Sequence, residues 1–215
     1  MDLFATIVHF FQAGGMFMFP IAAILVLGLV ITLERWIFLN RSQRENRKVW
    51  GSMLPLMSAG DFDGAEKIAR ESDTAIGRVL GYGFAHSRQH ASRADLEMAM
   101  EESLMEVTAL LEKRTHYLAV FANVATLLGL LGTISGLIKA FSAIASLNLA
   151  EKTNVLSFSI SEALNCTAFG LIVAVPMLLI HSWLTTKAGE LVDSLEMASV
   201  KFLNSLSMRR APAAR

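Results

Sequence analysis

The chain has 215 residues, 53 % of them apolar and 18 % charged, with a mean hydropathy of +0.48. Soluble domains carry about a quarter charged residues, and here the apolar excess is gathered into three long blocks, which excludes an ordinary soluble domain and points to a membrane protein with one polar segment. The formal net charge of zero gives no basic field for nucleic acid, and the single cysteine, Cys166, can neither close an intramolecular disulfide nor supply metal-ligand spacing.

Residues 1–15 hold no Lys or Arg, so no cleavable signal is expected and the first apolar block should be retained. Leu3, Phe4, Ile7, Val8, Phe10 and Phe11 recur in an amphipathic helical pattern before Gly14 and Gly15. The pattern predicts a helix lying on the membrane surface, or else an extension of the first span. Residues 16–38 form the first span. It is free of charge from Met16 to Leu33, and it ends at Glu34, Arg35 and Trp36, a charged and aromatic boundary suited to lipid headgroups. A block of ~20 residues at ~1.5 Å per residue crosses a ~30 Å hydrocarbon core.

Residues 39–116 are polar and helical in pattern. Ala59-Gly60-Asp61 should stop one helix, with Asp61 or Asp63 capping the next, which carries Ala65, Ile68 and Ala69 on one side. Ser92 and Asp95 make a short-armed capping box. It opens a helix that meets no Pro or Gly until Gly129, and which is expected to run unbroken into the membrane as far as Ser146. His86 and His90 have a zinc-compatible spacing, but with no further ligand nearby a solvated helix face is expected.

The second span covers 117–147 and the third 156–184, joined by a short connection at 148–155, so the two should form an antiparallel hairpin. A helix and tail at 185–215 complete the chain. Arg35, Arg41, Arg44, Arg47 and Lys48 follow the first span, Lys113 and Arg114 precede the second, and Lys187, Lys201, Arg209 and Arg210 follow the third. The N-terminal arm has no basic residue and the hairpin connection only Lys152. The positive-inside rule therefore predicts an outside N-terminus, with the middle segment and the C-terminus in the cytoplasm.

On the second span Ala122, Thr126, Gly129, Thr133, Gly136 and Ala140 fall at steps of four and three, making one stripe of small residues with Gly132 beside it. Ala163, Thr167, Gly170 and Ala174 do the same on the third. Such stripes suit close helix packing, while the hydroxyls suit a wetted or partner-facing surface, and the pattern leaves both open. In a tight hairpin, positions at equal depth have nearly constant index sums. That places Thr133 level with Thr167, and Lys139 level with Glu162 one or two turns nearer the outer face. Glu162 is the only carboxylate well inside a span, with Ser161 and Asn165 near it, and it reads either as a titrating group or as a structural ion pair with Lys139. Pro176 removes a backbone donor from the third span and is expected to kink it. No span holds an Asp, so either Glu162 carries a proton or another chain brings the acid to the hydroxyl-lined face.

The run Leu128-Gly129-Leu130-Leu131-Gly132-Thr133-Ile134-Ser135-Gly136-Leu137 resembles the second-span signature of the ExbB/TolQ/MotA stator family. The run from Ile160 through Ser161, Glu162, Ala163, Leu164, Asn165, Cys166, Thr167, Ala168, Phe169 and Gly170 to Leu171, continuing to Val175-Pro176, resembles its third-span signature. Gly60-Asp61-Phe62-Asp63-Gly64-Ala65 fits as well, and three spans favour the ExbB/TolQ branch. The resemblance implies an all-α integral membrane protein of the bacterial inner membrane, with long helices protruding into the cytoplasm and a pentameric ring surrounding single-span ExbD/TolR-like helices that supply the membrane Asp. It implies that Thr133 and Thr167 line an ion route supported by Glu162. A TonB- or TolA-like protein would carry the work onward. Asn165 and Cys166 stand where small apolar residues are commoner, and Lys139 is not a hallmark, which keeps proton and sodium both open. No cofactor is called for. The competing reading is a membrane scaffold or adaptor that works through its cytoplasmic helices. A secondary transporter would need internally repeated spans, and an enzyme would need a nucleophile–base set or phosphate loop that the sequence lacks.

Overall fold

The computed structural model describes residues 11, 14–88, 92–144 and 149–210, and among them all regular secondary structure is helical. Six helices follow one another: α1 Met18–Ser58, α2 Phe62–Glu71, α3 Ala75–Ser87, α4 Arg93–Glu112, α5 His116–Ile144 and α6 Leu149–Arg210. The predicted arm at 1–15 lies almost wholly outside the described residues, as does His90.

Local chemistry explains where these helices begin and end. Gly15 has φ +75°, and Pro20 falls in the first turn of α1, where no backbone donor is needed. At the other end of α1 Gly60 takes φ +83°. Its amide bonds Met57 O at 3.2 Å and the Asp61 amide bonds Leu56 O at 2.9 Å, which is a Schellman closure. Asp61 then caps α2 by accepting from the Gly64 amide at 2.9 Å. Thr74 caps α3 in the same way, accepting from Gly77 N at 3.2 Å, and buried Asn46 of α1 accepts from Ile76 N at 3.2 Å. The capping box at Ser92 and Asp95 opens α4 as anticipated.

The long unbroken helix from Ser92 to Ser146 does not form. It stops at Glu112 and restarts at His116, with Lys113 at ψ 134° and Arg114 at φ +65°. The sequence carries no breaker here; the cause lies in α1. The buried guanidinium of Arg35 donates to Leu111 O and, at 3.5 Å, to Leu110 O. Those carbonyls would otherwise accept from the amides of Thr115 and Arg114. A buried cation on the last carbonyls also suits the negative end of the helix dipole. A second difference concerns the hairpin connection: α6 already begins at Leu149, so most of 148–155 is helical, and α6 continues through Pro176 to Arg210.

The chain divides into two compact units. One comprises Met1–Leu33 with Arg114–Trp183, the other Glu34–Lys113 with Leu184–Arg215. The first holds the apolar parts of α1, α5 and α6, and the three corresponding helical stretches are each long and apolar enough to cross a membrane. Its interior is built from Met18, Ile21, Leu118, Ala122, Ala125, Ala163, Cys166 and Val173, while Leu127, Ile138, Phe141, Ile172 and Leu179 are exposed. In the second unit α2 packs on α3 and α3 on α4. Its core gathers Phe62, Ala65, Leu80, Phe84, Met100, Leu195 and Phe202, with the Phe84 and Phe202 rings edge-on at 4.7 Å.

The Asp95 carboxylate is held below the usual range, first by the Ser92 hydroxyl and then by the Ser92 amide. A depressed carboxylate contributes stability above its unfolded pKa, and loses it as pH falls through the folded value. The first turn of α4 should therefore fray on acidification below the ordinary carboxylate range. Backbone chemical shifts of residues 92–96, followed by NMR through that range, check this; Asp95→Asn should remove the pH dependence.

Candidate functional site

The site begins with glycine. Along the α5–α6 hairpin, residues without bulk face each other so closely that backbones meet. A β-carbon on Gly170 would stand 2.7 Å from Ala125 O and 3.2 Å from Gly129 Cα. One on Gly129 would meet Thr167 Cα at 3.2 Å and Cys166 O at 3.3 Å. Farther along, one on Gly136 would lie 2.8 Å from Ala163 Cβ and 3.1 Å from Ser159 O, and one on Gly132 2.8 Å from Cys166 Cβ. Ala122, Ala140 and Ala174 are buried as well. Most of the small-residue stripe is thus used within the chain, as a seam between its own two helices.

That seam sets the threonines against each other. The Thr133 and Thr167 hydroxyls are hydrogen-bonded directly. Both also reach the carbonyl of Gly129, Thr133 at 3.1 Å and Thr167 at 2.9 Å. The two side chains are half-buried at the edge of the seam. A carbonyl oxygen has two lone pairs and each hydroxyl has one proton and two acceptor positions. The cluster therefore retains open acceptor capacity on its exposed side, and its protons can be redistributed by rotating the hydroxyls. Thr126, two turns from Thr133, is exposed and donates to its own helix at Ala122 O, 3.0 Å away, so it does not join the pair.

At the second level Lys139 Nζ lies 3.5 Å from Glu162 Oε1, so both pairs anticipated from the index sums are in contact. The pair is unequal, with the lysine side chain 59 % exposed and the glutamate 20 %. Glu162 is also pressed against backbone: a β-carbon on Gly15 would stand 2.8 Å from its Cδ. Gly15 is thus required twice, by its positive φ and by this close approach. Asn165 is half-buried, and among the described residues no hydrogen bond links it to Glu162 or to the threonines. The roles of Gly15 against Glu162 and of Cys166 against Gly132 escaped sequence reasoning. The first joins residues far apart in the chain, and the second is a contact that a lone cysteine does not advertise. His86 turns Nδ1 to Tyr82 O at 3.1 Å and stacks on the Tyr82 ring, and no group of metal-ligating residues occurs among the described residues.

Residues 71–197 match the family model described as the MotA/TolQ/ExbB proton channel family, a stretch that includes α5, the seam and both paired levels. The chain belongs to that family. Among curated relatives it is 32 % identical over 190 residues to a putative biopolymer transport protein, ExbB-like 1, of Synechocystis sp., covering 85 % of this chain and 72 % of that one. It is 27 % identical over 169 residues to the ExbB-like 3 protein of the same organism, covering 78 % and 80 %. With the Tol-Pal system protein TolQ of Haemophilus influenzae it shares 31 % over 97 residues, covering 45 % and 40 %. These relatives put the chain on the ExbB/TolQ branch of the family, and its three apolar helices make it a multi-pass membrane protein. The family is one of transport components rather than enzymes.

The glycine seam yields a contrast between two similar substitutions. Gly170→Ala drives a methyl into the Ala125 carbonyl, and overpacking of this kind costs about 1–3 kcal/mol. Gly81→Ala in α3 meets nothing within 4 Å and should stabilise by about 0.5–1 kcal/mol through helix propensity. Thermal unfolding of the two variants in one detergent should therefore move the midpoint in opposite directions.

Proposed function

We propose that this chain is the channel and stator subunit of an inner-membrane motor, coupling a proton gradient, or a sodium gradient, to mechanical work. The observation that supports it is the Thr133–Thr167 hydroxyl pair, both within reach of the Gly129 carbonyl, at the edge of a seam built mainly from glycine and alanine. Two hydroxyls that can each donate and accept form a relay that needs no ionised group of its own. Because no span carries an Asp, the acid that loads and discharges comes from a partner. An ExbD/TolR-like helix with one membrane Asp, surrounded by a pentamer of this chain, meets that need.

Glu162 in this reading stays paired with Lys139 at the outer end of the route and attracts cations toward it, with Asn165 beside it. The charge pattern argues for a periplasmic N-terminus and a cytoplasmic C-terminus, with Glu34–Lys113 and the end of α6 in the cytoplasm. A TonB- or TolA-like protein would receive the work and carry it to the outer envelope.

Thr133→Val and Thr167→Val remove a hydroxyl while preserving shape. A hydrogen bond between membrane helices is worth about 0.6–1.7 kcal/mol, so both variants should fold and assemble. Ion-driven activity should nonetheless be lost in each, whereas Thr133→Ser, which keeps the oxygen, should retain most of it. Complementation of a deletion strain, with membrane levels checked by immunoblot, reads this out. Normal activity in both valine variants would instead favour a scaffold that conducts nothing.

A further inference from the structure

Just beyond the charge-free stretch of α1, one face of the helix forms an open groove of about 450 Å³, lined by Trp36, Ile37, Asn40, Arg41, Arg44 and Glu45. Its composition is graded along the helix. Trp36 is 46 % exposed and Ile37 60 % at the apolar end, and the arginines follow one and two turns later. Asn40, in the middle of the lining, accepts from Lys187 Nζ of α6. Glu45 is the only acid in the lining, and it occupies only the Nε proton of Arg41, at 2.7 Å. A guanidinium has five N–H donors in a planar fork. Four remain on Arg41, held in orientation by Glu45, and Arg44 stands exposed one turn away.

We propose that this groove seats the headgroup of an anionic phospholipid, with the phosphodiester between Arg41 and Arg44 and the glycerol and upper acyl chain against Trp36 and Ile37. Charge complementarity argues for that occupant: fork-like donors match a phosphate oxygen pair. So does the order of the residues. Indole, then guanidinium, running outward from a membrane-spanning stretch, follows the order of acyl chain, glycerol and phosphate in a bilayer leaflet. A zwitterionic lipid would bring its own cation to a site already positive. Assignment to the cytoplasmic leaflet rests on the orientation proposed above; binding itself requires only that α1 crosses the membrane.

The test uses the full chain reconstituted in phosphatidylcholine vesicles doped with phosphatidylglycerol, released gently and weighed by native mass spectrometry with its retained lipids. Wild type should retain phosphatidylglycerol in preference to phosphatidylcholine, and Arg41→Gln with Arg44→Gln should reduce that preference about thirtyfold, as expected for two cations near a membrane surface. Arg47→Gln with Lys48→Gln, outside the groove lining, should leave it unchanged. Equal retention of both lipids by wild type, or an equal fall in both double variants, would overturn the proposal. So would cross-linking between copies at residue 41 with no lipid retained, which would assign the groove to a subunit contact. Should the double variant fail to fold, the protein with Trp50→Phe and Trp183→Phe leaves Trp36 as the only indole. Brominated phosphatidylglycerol should then quench it more than brominated phosphatidylcholine, and equal quenching overturns the proposal. Lipid retention needs no ion flow, so Thr133→Val should bind as wild type does, which separates failure here from failure of the channel reading.

Discussion

Backbone contact between α5 and α6 at Gly129 and Gly170 is the constraint from which the rest of the membrane unit follows. Inside a bilayer, apolar side chains gain nothing by leaving lipid for protein, so helices associate through van der Waals contact and hydrogen bonds. Both fall away steeply with distance. Glycine, alanine and cysteine along the seam let the helix axes approach until carbonyl oxygens and α-carbons touch. Only at that separation can two threonine hydroxyls on different helices bond each other while one of them donates to the Gly129 carbonyl. The polar cluster is a consequence of the packing, and a single methyl at Gly170 would disturb both.

The second unit solves a different problem. It buries several polar groups, and three of them meet backbone or charged partners. Asn46 completes the start of α3, and the buried carboxylate of Glu66 faces Arg70 and Arg88, each at 2.7 Å. Arg35 donates to the carbonyls at the end of α4. An unmatched group of any of these kinds costs about 1–3 kcal/mol, and more when charged. The helix ends here are therefore set by partners distant in sequence as much as by local caps.

Membership of the MotA/TolQ/ExbB proton channel family fits a chain whose spans contain hydroxyls and one ion pair but no aspartate. In the function proposed above, such a wall would supply passage and leave the titrating chemistry to a partner's acid. That division would be chemically sensible: Glu162 is held in its ion pair with Lys139, and neutral hydroxyls bind weakly enough for an ion to move on.

Three apolar helices, the caps at Asp61 and Ser92, the stop at Gly60 and the two paired levels of the hairpin were legible in the residue order. Each depends on short-range chemistry or on a period of 3.6: a capping side chain three residues from its amide, or small residues returning to one face. The paired levels follow from residue number because a short connection leaves an antiparallel pair little freedom of register. What only the tertiary structure decided involves partners far apart along the chain. Good helix formers run from Glu112 through Arg114, yet the helix breaks there because Arg35, 76 positions away, competes for its carbonyls. Nor does the residue order reveal that Gly15 shelters Glu162, that Thr126 turns away from the pair it resembles, or that most of the small-residue stripe is spent inside one chain. Propensity acts locally, whereas competition for a hydrogen-bond acceptor depends on what folding brings near it.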